Sequence, residues 1–413
     1  MQKYKFILIL ICSVILPTEL LFGQADSTEQ KQTVTMELYE ASDILDMIGY
    51  GNCQWLYPLD EPNETLLYQP DYNSNKLYYY AAKYGDADDN IHTISLDESQ
   101  GTGTGYNTVY VDLDNDNRID PNNEKFSFQL GSTRKTIPVR IRLMVSAGGK
   151  KVPYYFNFSA FPYTDEKNPG NKVHANARNS SILMGHANFG DRQYKIAIAD
   201  LNSNGLFNDV EQGIFRGDRF FVDLDGDGKF QHSSRTSKPE ESFPYSRYTR
   251  IDGKWYSVQA TPDGTTIQIT PAQPQFGTVL AQKNIETVDL YSNIQSQRLN
   301  FSESSAEAIT GTYSLAVIQL SKLTWKCRGI FRSDRPQVTI IPGVETRIKD
   351  ALPLRVSIEP TANSPSDVVQ LKPTITGANG GIYNCPRSTR PEGSFEIQNQ
   401  QGQVITSEKF EYG

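Results

Sequence analysis

Arg219-Phe-Phe-Val-Asp-Leu-Asp-Gly-Asp-Gly-Lys-Phe230 decides how this chain is read. An apolar start runs into Asp223, Asp225 and Asp227, spaced two apart, and then Gly228. Carboxylates at that spacing can turn inward on one hard cation, and glycine permits the bend that closes such a loop. Lys229 adds a backbone carbonyl, and Phe230, eighth in the loop, anchors it to a core. The pattern occurs twice more. Asp112, Asp114, Asp116 and Asn117 lead through Arg118 to Ile119 and Asp120, and Asp200, Asn202, Asn204 and Gly205 lead through Leu206 to Phe207, Asp209 and Glu211. Each loop carries leucine second (Leu113, Leu201, Leu224) and an apolar residue eighth. The competing reading is a set of Asp/Asn/Gly-rich hairpin turns, since these residues tolerate left-handed dihedrals. Crowding of carboxylates without a cation is costly and favours the metal reading.

The segments before the loops set the fold class. Val109-Tyr-Val111, Ile196-Ala-Ile198 and Phe220-Phe-Val222 are short, β-branched or aromatic, and alternating, so they read as strands. Only the middle loop has a carboxylate at its twelfth position, Glu211. The outer loops have Asn123 and Ser234 there, and Glu124 is the substitute available to the first.

The three loops resemble the calcium loop of the EF-hand, and more closely those of dockerin-type and thrombospondin-type secreted calcium modules, over about a dozen residues each. The resemblance implies Ca2+ as the cofactor. The implied ligands are Asp112, Asp114, Asp116, Arg118 and Asp120 in the first loop and Asp200, Asn202, Asn204, Leu206 and Glu211 in the second. In the third they are Asp223, Asp225, Asp227 and Lys229.

The remainder of the chain is consistent with an exported protein. Lys3 and Lys5 precede the apolar run Phe6–Leu16, which Pro17 breaks; the run suits a signal-peptide core and is too short to span a bilayer. Residues 1–24 are therefore expected to be a signal peptide, and Phe22-Gly-Gln-Ala25 resembles signal ends of Gram-negative secreted proteins. The expected location is secreted, periplasmic or at the cell surface. The net charge is −8, and loss of Lys3, Lys5 and Glu19 with the leader makes it −9. Such a charge gives no electrostatic case for nucleic acid or an anionic membrane. Three cysteines remain, Cys53, Cys327 and Cys385, enough for one disulfide and an orphan in any pairing.

Along the chain, residues 25–35 read as polar and disordered, Ala41–Ile48 as a short helix, and Leu66–Tyr68 and Leu77–Tyr80 as strands. Strands at 137–145 and 152–161 flank an Ala-Gly-Gly turn, 164–180 is loop-like, and Trp255–Val258 pairs with Ile267–Ile269. Strand, acidic loop and paired strands occur near 106–162 and echo near 194–270. Gly311–Leu315, Pro342–Glu345 and Leu352–Leu354 resemble the prealbumin-like β-modules of secreted bacterial proteins. The expected architecture is all-β, with multi-domain β-sandwiches, calcium-binding loops at strand ends and very little helix. The expected units are 25–165, 166–274, 275–354 and 355–413.

Catalytic signatures are lacking. His92, His174, His186 and His232 show no ligand spacing, and neither Gly-x-Ser-x-Gly nor His-Glu-x-x-His occurs. A glycosidase carboxylate pair stays open, because its members are neighbours only in space. The aromatic strands (Tyr78, Tyr79, Tyr80, Tyr154, Tyr155, Phe156, Tyr245, Tyr248, Trp255) read as core, with a sugar-stacking platform as the alternative. The reading favours a binding or adhesion protein for a glycan or a cell-surface protein; a secreted hydrolase of polysaccharide or peptide with accessory β-modules is the runner-up.

Overall fold

The computed structural model describes residues 30–40, 53–101, 105–128, 138–165, 168–212, 217–230, 241–322, 325–331, 335–360, 371–384, 394–398 and 401–409. Among these the protein is all-β, with no helix and several separate sheets. The short helix expected at 41–48 and the signal peptide lie outside the described residues.

One continuous hydrophobic core runs from Val34 to Ile269 and gathers four sheets. Tyr78–Lys83, Ile91–Glu98, Tyr106–Val111 and Lys125–Ser127 form an antiparallel meander. Gln54–Leu56, Asn168–Asn179, Lys150–Asp165 and Val139–Ala147 form a second sheet, whose last two strands turn at Gly148 and Gly149, with φ of 60° and 76°. Ser242–Pro244, Arg219–Val222, Arg192–Ala199, Ser181–Phe189 and Glu37–Glu40 form a third. Gln32–Thr35 pairs with Thr266–Pro271 at the edge of the fourth, Val34 opposite Ile267.

The strand Arg219–Val222 is buried on both faces. Phe220 and Val222 point into the main core, while Phe221 meets Leu201 and Phe230 on the other side, its ring 5.6 Å from that of Phe230. Burial on both sides explains the unbroken apolar run where a half-buried strand would alternate.

Three local expectations are corrected. Residues 168–179 form a twelve-residue strand, not a loop. Val173, Ala175 and Ala177 alternate into the core, and small alanines among polar residues hid the period. Gln32–Thr35 is ordered as an edge strand with Val34 and Met36 buried, because its backbone completes a ladder. Leu66–Tyr68 is not a strand; Tyr68 makes a single parallel bridge to Arg118 of the first loop.

Placed against the expected units, position 165/166 falls inside the hairpin of Lys150–Asp165 with Asn168–Asn179, and both flanking segments feed one core. At 274/275 the chain passes from one core to the next. The second core runs from Val279 to Tyr383. Its larger sheet contains Ile285–Tyr291, Gly311–Lys322, Trp325–Ile330 and Ile382–Asn384, and also Leu354–Pro360 with Leu371–Gly377. The strands on both sides of 354/355 therefore belong together. Cys327 is disulfide-bonded, and Cys53 is a free thiol.

Candidate metal centres

Every loop connects two neighbouring antiparallel strands. The first lies between Tyr106–Val111 and Lys125–Ser127, the second between Arg192–Ala199 and Arg219–Val222, the third between Arg219–Val222 and Ser242–Pro244. The eighth-position anchors Ile119, Phe207 and Phe230 are all buried. The fourth and sixth positions are left-handed throughout: Asn115 and Asn117 (φ 57° and 62°), Ser203 and Gly205 (60° and 81°), Gly226 and Gly228 (76° and 80°). Asn117 thus carries the left-handed strain that its place in the pattern implies.

The first aspartate of each loop is buried and acts as a hub for backbone amides. Asp112 accepts N–H groups from Asp116 and Asn117 at 3.2 and 3.0 Å, and Asp223 accepts them from Gly226 and Gly228 at 2.8 and 2.9 Å. Asp200 accepts from Ser203 and Gly205 and also from the Tyr154 hydroxyl at 2.8 Å. The fifth side chain of the first loop and the third and fifth of the third loop use one oxygen in the same way. Asp116 accepts from the Arg118 amide, Asp225 from Asp227, and Asp227 from Lys229.

What the remaining atoms do separates the loops. Asp112, Asp114 and Asp116 each contribute a carboxylate oxygen within 4.8 Å of the others, and Asp223, Asp225 and Asp227 do the same. In both triplets the first residue is buried and the other two exposed. These two groups could hold a metal ion. Even at the dielectric constant of water, each like-charge pair at that separation costs about 1 kcal/mol. One lysine stands by each triplet: Lys151 Nζ donates to the Asp114 carbonyl at 3.0 Å, and Lys195 Nζ to that of Gly228 at 3.1 Å.

The middle loop satisfies its side chains internally. Asn202 and Asn204 spend Oδ1 on the amides of Asn204 and Leu206, so their Nδ2 groups face inward, and both donate to Asp209 Oδ2, at 2.9 and 2.6 Å. Inward N–H groups repel a cation. The loop is also enclosed: the Asn204 carbonyl accepts from Gly85 N at 2.6 Å, and a Cβ on Gly205 would stand 2.9 Å from Val145. Burying three charges there would be far more costly than burying amides that are satisfied.

Closure comes from residues beyond the loops. Glu124 spans the first loop, accepting from Leu113 N and Asp120 N, both at 2.7 Å. Asp218 spans the second, accepting from Leu201 N at 3.3 Å and Asp209 N at 2.7 Å. Glu241 accepts from Leu224 N and Asp225 N in the third. Val111 and Val222 donate to the carbonyls of Glu124 and Glu241 in the same way. Asp218 and Glu241, missed in the sequence, each lie eighteen positions beyond the first aspartate of their loop (200 to 218, 223 to 241), a spacing that could have revealed them. Glu211 instead lines a cleft elsewhere, and both Asp120 oxygens accept from Asn122 and Asn123. Ser234 lies outside the described residues.

Burial pushes Asp112 up to about 6, Glu124 up to about 7 and Asp200 up to about 7. Asp218 is raised well above the ordinary carboxylate range, by burial and by its neighbours Asp200 and Asp209. His92 is buried under the first loop, with Nδ1 2.7 Å from the Asp112 carbonyl oxygen, and burial lowers its pKa. It supports the first loop from beneath. Six of the nine aromatic candidates (Tyr78, Tyr79, Tyr80, Tyr154, Phe156, Tyr245) are buried as core, while Tyr155, Tyr248 and Trp255 are half-exposed. No protein-family model, curated protein or solved structure matches the chain.

Proposed function

We propose that this is an exported binding protein whose first unit is stiffened by two calcium ions, one in the loop at 112 and one in the loop at 223. The observation that carries the metal reading is the convergence of three carboxylates within 4.8 Å at each loop, on a backbone already folded around the first aspartate. An all-oxygen, carboxylate-rich set with one buried and two exposed side chains suits a hard cation with an adaptable coordination shell, which is the chemistry of calcium. The second loop is assigned no ion, because its inward groups are donors.

The disulfide at Cys327 supports export, since such bonds persist in oxidising compartments. The binding role rests on the many strands, the absence of a nucleophile or histidine constellation from the sequence, and the placement of the metal loops as strand connectors. The test is stoichiometry with stability. Calcium titration by calorimetry should give two sites, and chelation at constant ionic strength should lower the melting temperature. Asp225→Ala should remove one site and shrink that difference. An unchanged melt in chelator leaves only the turn reading of these loops standing.

A further inference from the structure

Between the two cores lies a cleft of 540 Å3, separate from both carboxylate triplets and reached from the loops by Glu211. One wall is a fixed joint. Arg247 N donates to the Ile294 carbonyl at 2.8 Å, Tyr248 N to Gln295 Oε1 at 2.8 Å, and Ser296 N to Ser246 Oγ at 3.1 Å. Gln295 is buried and returns Nε2 to the Tyr248 carbonyl. The joint therefore holds the walls at a set spacing. Across it, Trp255 from the first unit and Phe276 from the second meet at 5.6 Å between ring centroids, tilted by 52°, and both line the space half-buried.

The charges that line the cleft balance: Arg219, Arg250 and Arg298 against Glu211, Asp289 and Glu307. Arg298 grips Asp289 through Nε and Nη2 at 2.6 and 2.9 Å. In a chain of net charge −8, a locally neutral cleft selects neither a polyanion nor a polycation. Aromatic faces beside planar amide, guanidinium and carboxylate groups suit a ligand with apolar C–H faces and a rim of hydroxyls. The volume falls in the range of ligand sites, about 300–1,000 Å3.

We propose that this cleft binds an uncharged oligosaccharide, stacked on Trp255 and Phe276 and hydrogen-bonded along the Arg219–Glu307 rim. This rests on the binding-protein reading and names its site and ligand class. The test is calorimetric titration of the calcium-loaded full chain with neutral β-glucan, mannan and chitin oligomers of four to six sugars, alongside an extended neutral peptide. At least one oligomer should bind. Trp255→Ala should weaken it by about tenfold or more, a scale set by loss of one aromatic contact. The exposed Glu307→Ala should weaken it by several-fold, while the distant Trp55→Ala leaves it unchanged, all three keeping the wild-type melt. Should Trp255→Ala perturb that melt, Glu307→Ala alone carries the decision. Oligosaccharide binding that both cleft variants retain overturns the site but leaves the binding role intact. Binding of the peptide alone, or of nothing on the panel, overturns the ligand class without touching the calcium result.

Discussion

Replacing Asn202 and Asn204 with aspartate tests the physical distinction between the loops. Each asparagine donates one N–H to Asp209 Oδ2, at 2.9 and 2.6 Å. A hydrogen bond to a charged group is worth roughly 1.5–3 kcal/mol, so Asn202→Asp/Asn204→Asp should cost about 3–6 kcal/mol without metal. At roughly 2–4 °C per kcal/mol for a unit of this size, the chelated double variant should melt about 6–24 °C below wild type. The same change points three carboxylates inward, recreating the arrangement of the outer loops. Calcium at a hundredfold excess over its dissociation constant should return about 2.7 kcal/mol. Differential scanning calorimetry in chelator and in millimolar calcium, with a calcium titration beside it, reads both effects; the stoichiometry should rise from two to three. A double variant that melts with wild type in chelator, or a wild type that already binds three ions, refutes the reasoning.

The remaining predictions address other groups. In chelator, stability should fall as pH rises from about 4 to about 7. Asp112, Glu124 and Asp200 have raised folded pKa values, so the native state holds protons that the unfolded chain releases, each contributing at most ~1.4 kcal/mol per pH unit. Calcium should flatten the Asp112 and Glu124 part of that slope, and urea unfolding across pH would expose a flat chelated profile as a failure. Glu241→Ala strips the acceptor from Leu224 N and Asp225 N, and should cost at least about 2 kcal/mol and weaken the third loop's calcium site, read by melting and titration. N-terminal sequencing of the exported protein should begin between Leu21 and Asp26; a sequence starting at Met1 contradicts export by a cleaved leader. Assays on polysaccharide and peptide substrates should show no turnover, and calcium-supported hydrolysis abolished by one carboxylate substitution outside the loops would replace the binding role with an enzyme.

Strands entering the loops were readable because Val109–Val111, Ile196–Ile198 and Phe220–Val222 carry their preference in side-chain type. The buried anchors Ile119, Phe207 and Phe230, and the strain at Asn117, were equally local facts. What escaped depends on partners distant in sequence. Asp218 and Glu241 close their loops only because the next strand brings them back. Whether Asn202 and Asn204 present oxygen or nitrogen inward is decided by which atom the backbone takes, and residue identity does not reveal that. The core shared across 165/166 was masked by the polar residues interspersed along Asn168–Asn179, and Ala175 and Ala177 gave too weak an apolar signal to betray the strand.

Pairing of Gln32–Thr35 with Thr266–Ile269 sets a timetable for the nascent polypeptide. The opening strand of the first unit has no ladder partner until more than two hundred further residues have been synthesised. Closing so large a loop is entropically slow, and contacts of such separation lower folding rates. Hairpins such as 139–147 with 150–165 can form as they emerge, but the core from Val34 to Ile269 cannot be sealed until the strand ending at Pro271 has arrived. Assembly of this unit is therefore a late, all-at-once step following a long open interval, during which the unpaired edge of Gln32–Thr35 is a template for any other extended segment.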